Sequence, residues 1–309
     1  MHSPKASVII PAWNSSSVIA ECIQSVKRQS EPDFECIIVD DGSEDDTVEL
    51  ARSAIGGDER FKICEGMHLG LSDARNRGVA LASSDIVMHL DSDDLALPEM
   101  VKKASEFLLA NDLDIAFFNA DVQNRGFNPF SFKCEQKYFQ RRKCYGISSG
   151  ASMLKEMLQN GDYVYATFLQ ASRKSRIRKP FLSGIQAQDE VCTTENLVLA
   201  ERAGHIDSTL YIKRCGNESA SCSRNLAKWA WSRWKAAQEL MKFADEEKIE
   251  RPEILLPIIG RMIMQVGDAM HSMKQKDISW LNSLTFEDRT MLCSIACHTA
   301  LGCKYFQNL

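Results

Sequence analysis

Short apolar runs rich in β-branched residues recur through the N-terminal half of the chain, and each is bounded by polar or turn-forming residues. Runs of this length predict buried strands. They lie at Ala6–Ile10, Phe34–Val39, Phe61–Cys64, Ile86–Leu90 and Leu113–Asn119. Between them, apolar residues follow helical spacing. Strands that alternate with helices predict an α/β fold, with a mostly parallel sheet covered by helices on both faces.

The pattern changes near residue 223. A further strand is predicted at Tyr211–Lys213, and the following sequence has only helical periodicity. We therefore expect an α/β domain over residues 1–223 and a helical C-terminal region over residues 224–309. The tryptophans of this region, Trp229, Trp231 and Trp234, are expected to pack against the main domain, and a membrane-interface face is the alternative.

The run Ile86–Leu90 leads directly into the acidic residues Asp91, Asp93 and Asp94. Ligands of open α/β sheets bind outside the carboxyl ends of the strands, which is where these residues are expected. Carboxylates crowded together repel one another unless a cation lies among them. Oxygen ligands favour a hard divalent ion such as Mg²⁺ or Mn²⁺. Taken alone, the motif is a weak signal, and a solvated acidic turn is the favoured interpretation.

Two further segments carry candidate chemistry. Gln188, Asp189 and Glu190 open a predicted helix, where acids also complement the helix dipole. The basic residues between Arg173 and Lys179 are either a solvated loop or a clamp for an anionic ligand.

Charge and hydropathy exclude some classes of protein. The 309-residue chain has a net charge of −5, and no basic run with interleaved aromatic residues is present, which argues against a nucleic-acid partner. The longest apolar stretch, Ile254–Val266, is too short to span a membrane and contains Arg261. No signal peptide is visible, so a cytoplasmic location is expected. Peripheral contact with the inner face of the membrane is left open.

Five segments, in this order, resemble the family-2 glycosyltransferases, which are inverting enzymes of the Rossmann-like GT-A fold. The segments are Ser7–Asn14 (SVIIPAWN), Ile38–Ser43 (IVDDGS), Gly70–Gly78 (GLSDARNRG), Leu90–Asp94 (LDSDD) and Gln188–Val191 (QDEV). The resemblance covers residues 5 to 223 and excludes the helical region. The sequence contains neither the signature of a Walker A loop nor that of a nucleophile elbow, either of which would support a different class of enzyme.

The resemblance implies a role for individual residues. Those it places at the nucleotide are Pro11, Trp13, Asn14, Asp40, Asp41, Arg75, Asn76, Asp91 and Ser92. It implies that Asp93, together with Asp91, binds Mn²⁺ or Mg²⁺. It also implies that Asp189 is the catalytic base. Because this chain has Gln188 where the family commonly has Glu, and Cys192 where an aromatic is frequent, Glu190 remains the alternate base.

The activity implied is metal-dependent transfer of a sugar, of the hexosyltransferase class. The donor would be a nucleoside-diphosphate sugar, with UDP favoured, and the acceptor a hydroxyl of a glycan or lipid-linked glycan. Synthesis of a cell-surface polysaccharide is the expected setting. The alternatives are a catalytically inactive domain of the same fold that binds a nucleotide sugar or a partner, and a phospho-receiver module, whose paired acids would have to follow the first strand.

Overall fold

The computed structural model describes residues 3–124, 137–215, 226–247 and 252–272, together with the single positions 285, 288 and 290. Its strands are β1 (Ala6–Ala12), β2 (Phe34–Asp40), β3 (Phe61–Glu65), β4 (Ile86–His89), β5 (Leu95–Ala96), β6 (Ile115–Asn124), β7 (Gln170–Arg173) and β8 (Ala203–Cys215). Its α-helices are α1 (Ile19–Lys27), α2 (Thr47–Ile55), α3 (Leu71–Leu81), α4 (Met100–Ala110), α5 (Gly150–Gln159), α6 (Gln188–Leu199), α7 (Leu226–Glu246) and α8 (Leu256–Ser272).

The strands form one mixed sheet in the order β3-β2-β1-β4-β7-β6-β8-β5. Strands β3, β2, β1 and β4 pair in parallel, as do β6 and β8. Strand β7 is antiparallel to both β4 and β6, and β5 is antiparallel to β8. The predicted architecture, a mostly parallel sheet covered by helices, is therefore confirmed.

The centre of the sheet is buried on both faces. Every residue of β1 and β2 is buried, which explains why these strands are apolar without alternation. Helix α3 packs closely against β1. A Cβ atom added to Gly78 would be only 2.3 Å from Cγ2 of Ile9. This contact requires a glycine at the end of the Gly70–Gly78 segment.

Two strand predictions were wrong in their details. The first strand was predicted to end at Ile10, but β1 continues to Ala12, with Pro11 opposite Val39 of β2. Strand β4 pairs only with Ser7–Ile9, so the missing N–H of Pro11 costs no ladder bond on that side. The last predicted strand is also much longer, because β8 begins at Ala203.

Strand β7 was not predicted from the sequence. It has four residues, begins with a glutamine and contains a serine and an arginine. Its composition resembles a loop, and only its position between β4 and β6 makes it a strand.

The chain divides into two compact units. The first comprises Met1–Ser183 and Cys192–Cys222, and it contains the whole sheet. The second comprises Gly184–Val191 and Ser223–Leu309, and it contains α7, α8 and the first turn of α6. In the second unit, the Trp234 indole is buried and donates a hydrogen bond to Asp288 (3.1 Å). None of the helices described is long and apolar enough to cross a membrane.

Candidate active site

The acidic turn follows β4 and is anchored to β8. Asp91, Asp93 and Asp94 bring carboxylate oxygens within 4.8 Å of one another. The amide of Asp94 donates to the carbonyl of Asp91 (3.0 Å), which closes the turn. The amide of Asp91 donates to the hydroxyl of Tyr211 in β8 (3.1 Å). The predicted cluster is therefore held at the carboxyl end of β4 by a strand distant in the sequence.

Asp94 is the buried anchor of this turn, and its carboxylate is surrounded by donors. Its Oδ2 accepts from the Tyr211 hydroxyl (2.6 Å) and from Nζ of Lys213 (2.8 Å), while Oδ1 accepts from the amide of Arg214 (2.8 Å). Burial raises the pKa of Asp94, and the Lys213 ammonium opposes that rise. With both oxygens engaged, Asp94 serves the fold of the turn and is a poor ligand for an ion.

Asp91 and Asp93 differ from Asp94 because their carboxylates are partly exposed, at 22% and 19%. Burial raises the pKa of Asp91, but the charges of Arg75 and Lys213 outweigh it and leave that pKa below its usual value. The pKa of Asp93 is raised, by burial and by the neighbouring Asp91. The two acids thus form an ionised group beside a more readily protonated one.

These two residues fit a hard divalent ion. Both offer oxygens only, which is the donor set that Mg²⁺ and Mn²⁺ prefer. Arg75 holds one oxygen of Asp91 (2.7 Å), and Lys213 lies 3.6 Å from the other, beyond ordinary hydrogen-bond distance. Lys213 is also 3.7 Å from Asp93. Two carboxylate ligands leave room in the ion's shell for phosphate oxygens.

The second acidic turn, at the end of β2, folds two loops. Asp40 accepts hydrogen bonds from the amides of Gly42 (3.1 Å) and Ser43 (3.0 Å). Asp41 accepts from the amides of Leu69 (2.8 Å) and Gly70 (2.7 Å), at the start of α3. Both side chains are buried, so their visible role is to shape the loops.

The loop after β1 carries Trp13 and Asn14. The Trp13 side chain is 49% exposed, and its ring lies 4.8 Å from that of His68. Asn14 has a φ of +47°, its amide donates to Oγ of Ser43 (2.9 Å), and its side-chain oxygen accepts from the amide of Glu44 (2.9 Å). This loop is thereby fixed to the loop after β2.

A serine pair joins the same loop to the acidic turn, since Oγ of Ser15 lies 2.8 Å from Oγ of Ser92. The loops that follow β1, β2 and β4 are therefore linked to one another by direct hydrogen bonds. These loops carry five of the nine residues assigned to the nucleotide by the resemblance, while Pro11 and Asp40 lie near the ends of β1 and β2.

Arg75 and Asn76 lie on α3 but have different partners. Arg75 is buried, pairs with Asp91, and lies over the ring of Phe181. The side chain of Asn76 donates to the carbonyl of Phe181 (2.8 Å) and accepts from its amide (2.9 Å). Asn76 therefore fastens the Phe181 segment to α3, a structural contact that sequence reasoning did not foresee.

Sequence reasoning also missed the β8 residues Tyr211, Lys213 and Arg214. Arg214 is fully buried, its Nε donates to the carbonyl of Asp93, and its Nη1 pairs with Glu21 at 2.5 Å. A signal was available, because two adjacent basic residues inside an otherwise apolar run need buried acidic partners.

The two candidate bases both lie in the first turn of α6, in the second unit, but their surroundings differ. Glu190 is fully buried and pairs with both Arg233 of α7 and Arg261 of α8. Asp189 is partly buried, and its Oδ1 accepts from the amide of Glu190 (3.0 Å). Glu190 is therefore committed to a buried ion-pair cluster.

Most of the basic residues between Arg173, at the end of β7, and Lys179 are engaged with acids or carbonyls. Arg173 pairs with Asp112 (3.0 Å), and Arg176 pairs with Asp114 (3.1 Å). Lys174 donates to the carbonyl of Ala82 (2.6 Å). These contacts favour a structural role for the three residues over an anion clamp.

Two of the solved structures that share this fold are complexes with nucleotide sugars. The 1-349 chain of TarS from S. aureus, in complex with UDP-GlcNAc, superposes with a TM-score of 0.61 at 19% identity, covering 94% of this chain and 79% of that chain. The mannosyltransferase PcManGT from Pyrobaculum calidifontis, in complex with GDP-Man and Mn²⁺, has a TM-score of 0.57 at 14% identity, covering 97% and 87%. At these identities the likeness concerns the fold, and it confirms the expected GT-A architecture.

The sequence itself also matches known families. YibD of Escherichia coli (strain K12), an uncharacterized glycosyltransferase, is 30% identical over 225 residues, which are 70% of this chain and 63% of YibD. The match thus spans a little under two thirds of that relative's length. The profile of the family described as glycosyl transferase family 2 matches residues 7–169, more than half of the chain. The chain belongs to glycosyl transferase family 2.

Proposed function

We propose that this protein is an inverting, metal-dependent glycosyltransferase. It moves a sugar from a nucleoside-diphosphate donor, with UDP favoured, to a hydroxyl of an acceptor. The observation that carries the proposal is the carboxylate cluster of Asp91 and Asp93 after β4, in a loop that hydrogen bonds join to the loops after β1 and β2. Family membership supports the same reaction class.

The donor site is assigned to the loops just described. Trp13 offers an exposed aromatic face for a base, and Asp40 and Asp41 hold the loops that would face the nucleoside. The TarS complex supports a UDP-sugar, whereas the PcManGT complex leaves GDP as the competing nucleotide.

Asp93, with Asp91, would hold Mn²⁺ or Mg²⁺, and Arg75 keeps Asp91 in place through its 2.7 Å contact. Such an ion, when bound, acts as a Lewis acid that stabilises negative charge on a departing diphosphate. The complex of PcManGT with Mn²⁺ supports this assignment.

Asp189 is proposed as the base. An acceptor hydroxyl is a poor nucleophile, and a carboxylate must accept its proton as the new bond to the anomeric carbon forms and the bond to the diphosphate breaks. A single displacement of this kind inverts the anomeric centre. Glu190 is set aside as the alternate, because its carboxylate is fully buried between Arg233 and Arg261.

The acceptor is proposed to be a glycan or a lipid-linked glycan, in the synthesis of a cell-surface polysaccharide on the cytoplasmic side of the membrane. This part of the proposal rests on the family resemblance. The catalytically inactive alternative keeps one supporting feature, which is the departure from the family pattern at Gln188 and Cys192.

A thermal-shift panel of nucleotide sugars, each with and without Mn²⁺, tests the proposal. We expect a UDP-sugar to raise the melting temperature only when Mn²⁺ is present, and we expect Asp93→Asn to abolish that shift. If no nucleotide sugar stabilises the protein, the proposed function is wrong. Stabilisation without sugar transfer to any acceptor of a glycan panel would favour the inactive alternative.

A further inference from the structure

One partly buried lysine lies among the acids of the proposed metal site. Nζ of Lys213 is 2.8 Å from Asp94, 3.6 Å from Asp91 and 3.7 Å from Asp93. The Lys213 side chain is 17% exposed, and its ammonium lies 5.3 Å from the centre of the Phe168 ring. A lysine in this position is a resident cation at the place where a divalent ion would bind.

The charges around the acids nearly balance. With all three carboxylates ionised, Asp91, Asp93 and Asp94 contribute three negative charges, while Arg75 and Lys213 contribute two positive charges by direct contact. The guanidinium of Arg214 is paired with Glu21, so that pair adds no net charge. Close to one negative charge remains to attract a divalent ion.

Lys213 also repels such an ion directly. Like charges in near contact repel one another even when water screens them, and the double charge of a divalent ion doubles the energy of that repulsion. Lys213 should therefore weaken binding of the free ion by at least about tenfold, which corresponds to about 1.4 kcal/mol.

We propose that Lys213 couples metal binding to donor binding. On its own, the acid cluster holds a divalent ion weakly, because Lys213 already neutralises part of its charge. A nucleoside diphosphate brings further negative charge and oxygen ligands, and it relieves the repulsion between the ion and the ammonium. Ion and donor are therefore bound together, and neither is retained well alone.

This inference rests on the proposed function and goes beyond it. The competing explanation is that Lys213 only neutralises the buried carboxylate of Asp94 and has no effect on the ion. The two explanations differ in the Mn²⁺ affinity of a Lys213→Met variant when nucleotide is absent. Coupling is reciprocal, so the effect of UDP on Mn²⁺ affinity must equal the effect of Mn²⁺ on UDP affinity.

The test is isothermal titration of Mn²⁺ into the full-length protein, with and without saturating UDP, and of UDP with and without Mn²⁺. Lys213→Met is compared with Lys103→Met, which removes the same charge from an exposed position on α4. We expect Lys213→Met to bind Mn²⁺ at least about tenfold more tightly without UDP, and the enhancement by UDP to fall by a similar factor. Lys103→Met should match the parent protein.

Equal Mn²⁺ affinities in Lys213→Met and the parent would overturn the inference while leaving the proposed function intact. Failure of the parent to bind either UDP or GDP under any condition would instead overturn the proposed function. If Lys213→Met does not fold, the parent protein decides the question: the inference requires UDP to strengthen its Mn²⁺ binding at least about tenfold, and Mn²⁺ binding that is indifferent to UDP rejects it.

Discussion

Arg75 donates a 2.7 Å hydrogen bond to Asp91 while its own side chain is only 3% exposed. The contact joins two of the sequence segments on which the family resemblance depends, since Arg75 lies on α3 and Asp91 follows β4. It holds an acid of the proposed metal site in a fixed orientation and keeps it ionised. Its loss should affect ligand binding more than a change elsewhere on α3.

Arg75→Lys should reduce kcat/KM for the donor by about 10- to 100-fold, since a hydrogen bond to a charged group contributes about 1.5–3 kcal/mol. Steady-state kinetics against a UDP-sugar measures the effect. Arg77→Lys on the same helix is the control, because Arg77 is exposed and bonds only a carbonyl of Glu65 among the contacts described. Equal losses in the two variants would contradict a specific role for Arg75.

Asp93 and Asp94 are neighbours in the chain but should behave differently when changed to asparagine. Asp94→Asn breaks a buried ion pair with Lys213, and we expect it to lower the free energy of unfolding by about 3 kcal/mol. Asp93→Asn should leave stability within about 0.5 kcal/mol but remove Mn²⁺-dependent UDP binding. Urea unfolding and calorimetric titration of both variants check this division, and the reverse pattern would exchange their roles.

Gly78→Ala tests the contact between α3 and β1. The added methyl group would clash with Ile9, and overpacking of this kind costs about 1–3 kcal/mol. Gly146→Ala is the matched control, because a Cβ atom there meets nothing within 4 Å. Chemical denaturation of both variants gives the comparison, and a neutral Gly78→Ala would mean that α3 can move away from the sheet.

Substitutions of the two acids in the first turn of α6 should have different effects, one on catalysis and the other on stability. Asp189→Asn should lower kcat by about 100-fold or more while UDP binding is retained, as expected for loss of a general base. Glu190→Gln should lower the free energy of unfolding by about 3 kcal/mol, because it leaves Arg233 and Arg261 without their carboxylate partner. Full turnover in Asp189→Asn would refute the base assignment.

Glu35 should make stability depend on pH. Burial raises the pKa of Glu35, but hydrogen bonds from Ser7, Ser83 and Lys62 outweigh it and lower that pKa from 4.5 to about 2. The unfolded chain therefore binds more protons between these values. The stabilisation is complete above pH 4.5 and is lost as the pH falls through about 2.

Glu35→Gln should accordingly cost about 2 kcal/mol at pH 7, and the cost should shrink steadily as the pH is lowered below 4.5. Urea unfolding at several pH values measures it. Glu65→Gln is the control, because Glu65 is exposed and pairs only with the exposed Arg52 among the ion pairs described, so its effect should be small at every pH. A pH-independent cost for Glu35→Gln would point to lost packing.

The sequence by itself determined the strand-and-helix order of the first unit and the placement of acids at the ends of β2 and β4. Both are local properties, because a strand's periodicity and the residues that follow it are adjacent in the chain. The Gly70–Gly78 segment was also recognisable, although its glycine requirement became clear only from the contact between Gly78 and Ile9.

Only the tertiary structure distinguished the acids that are held in buried ion pairs from those that are proposed to contact ligands. Asp93 and Asp94 are the same residue type at consecutive positions, yet Lys213 and Tyr211 engage Asp94 from a strand more than 100 residues away. Glu190 likewise differs from Asp189 in that it forms ion pairs with Arg233 and Arg261, which belong to α7 and α8. A buried charge takes its partner from whichever element packs against it, and that choice depends on the fold and not on neighbouring residues in the chain.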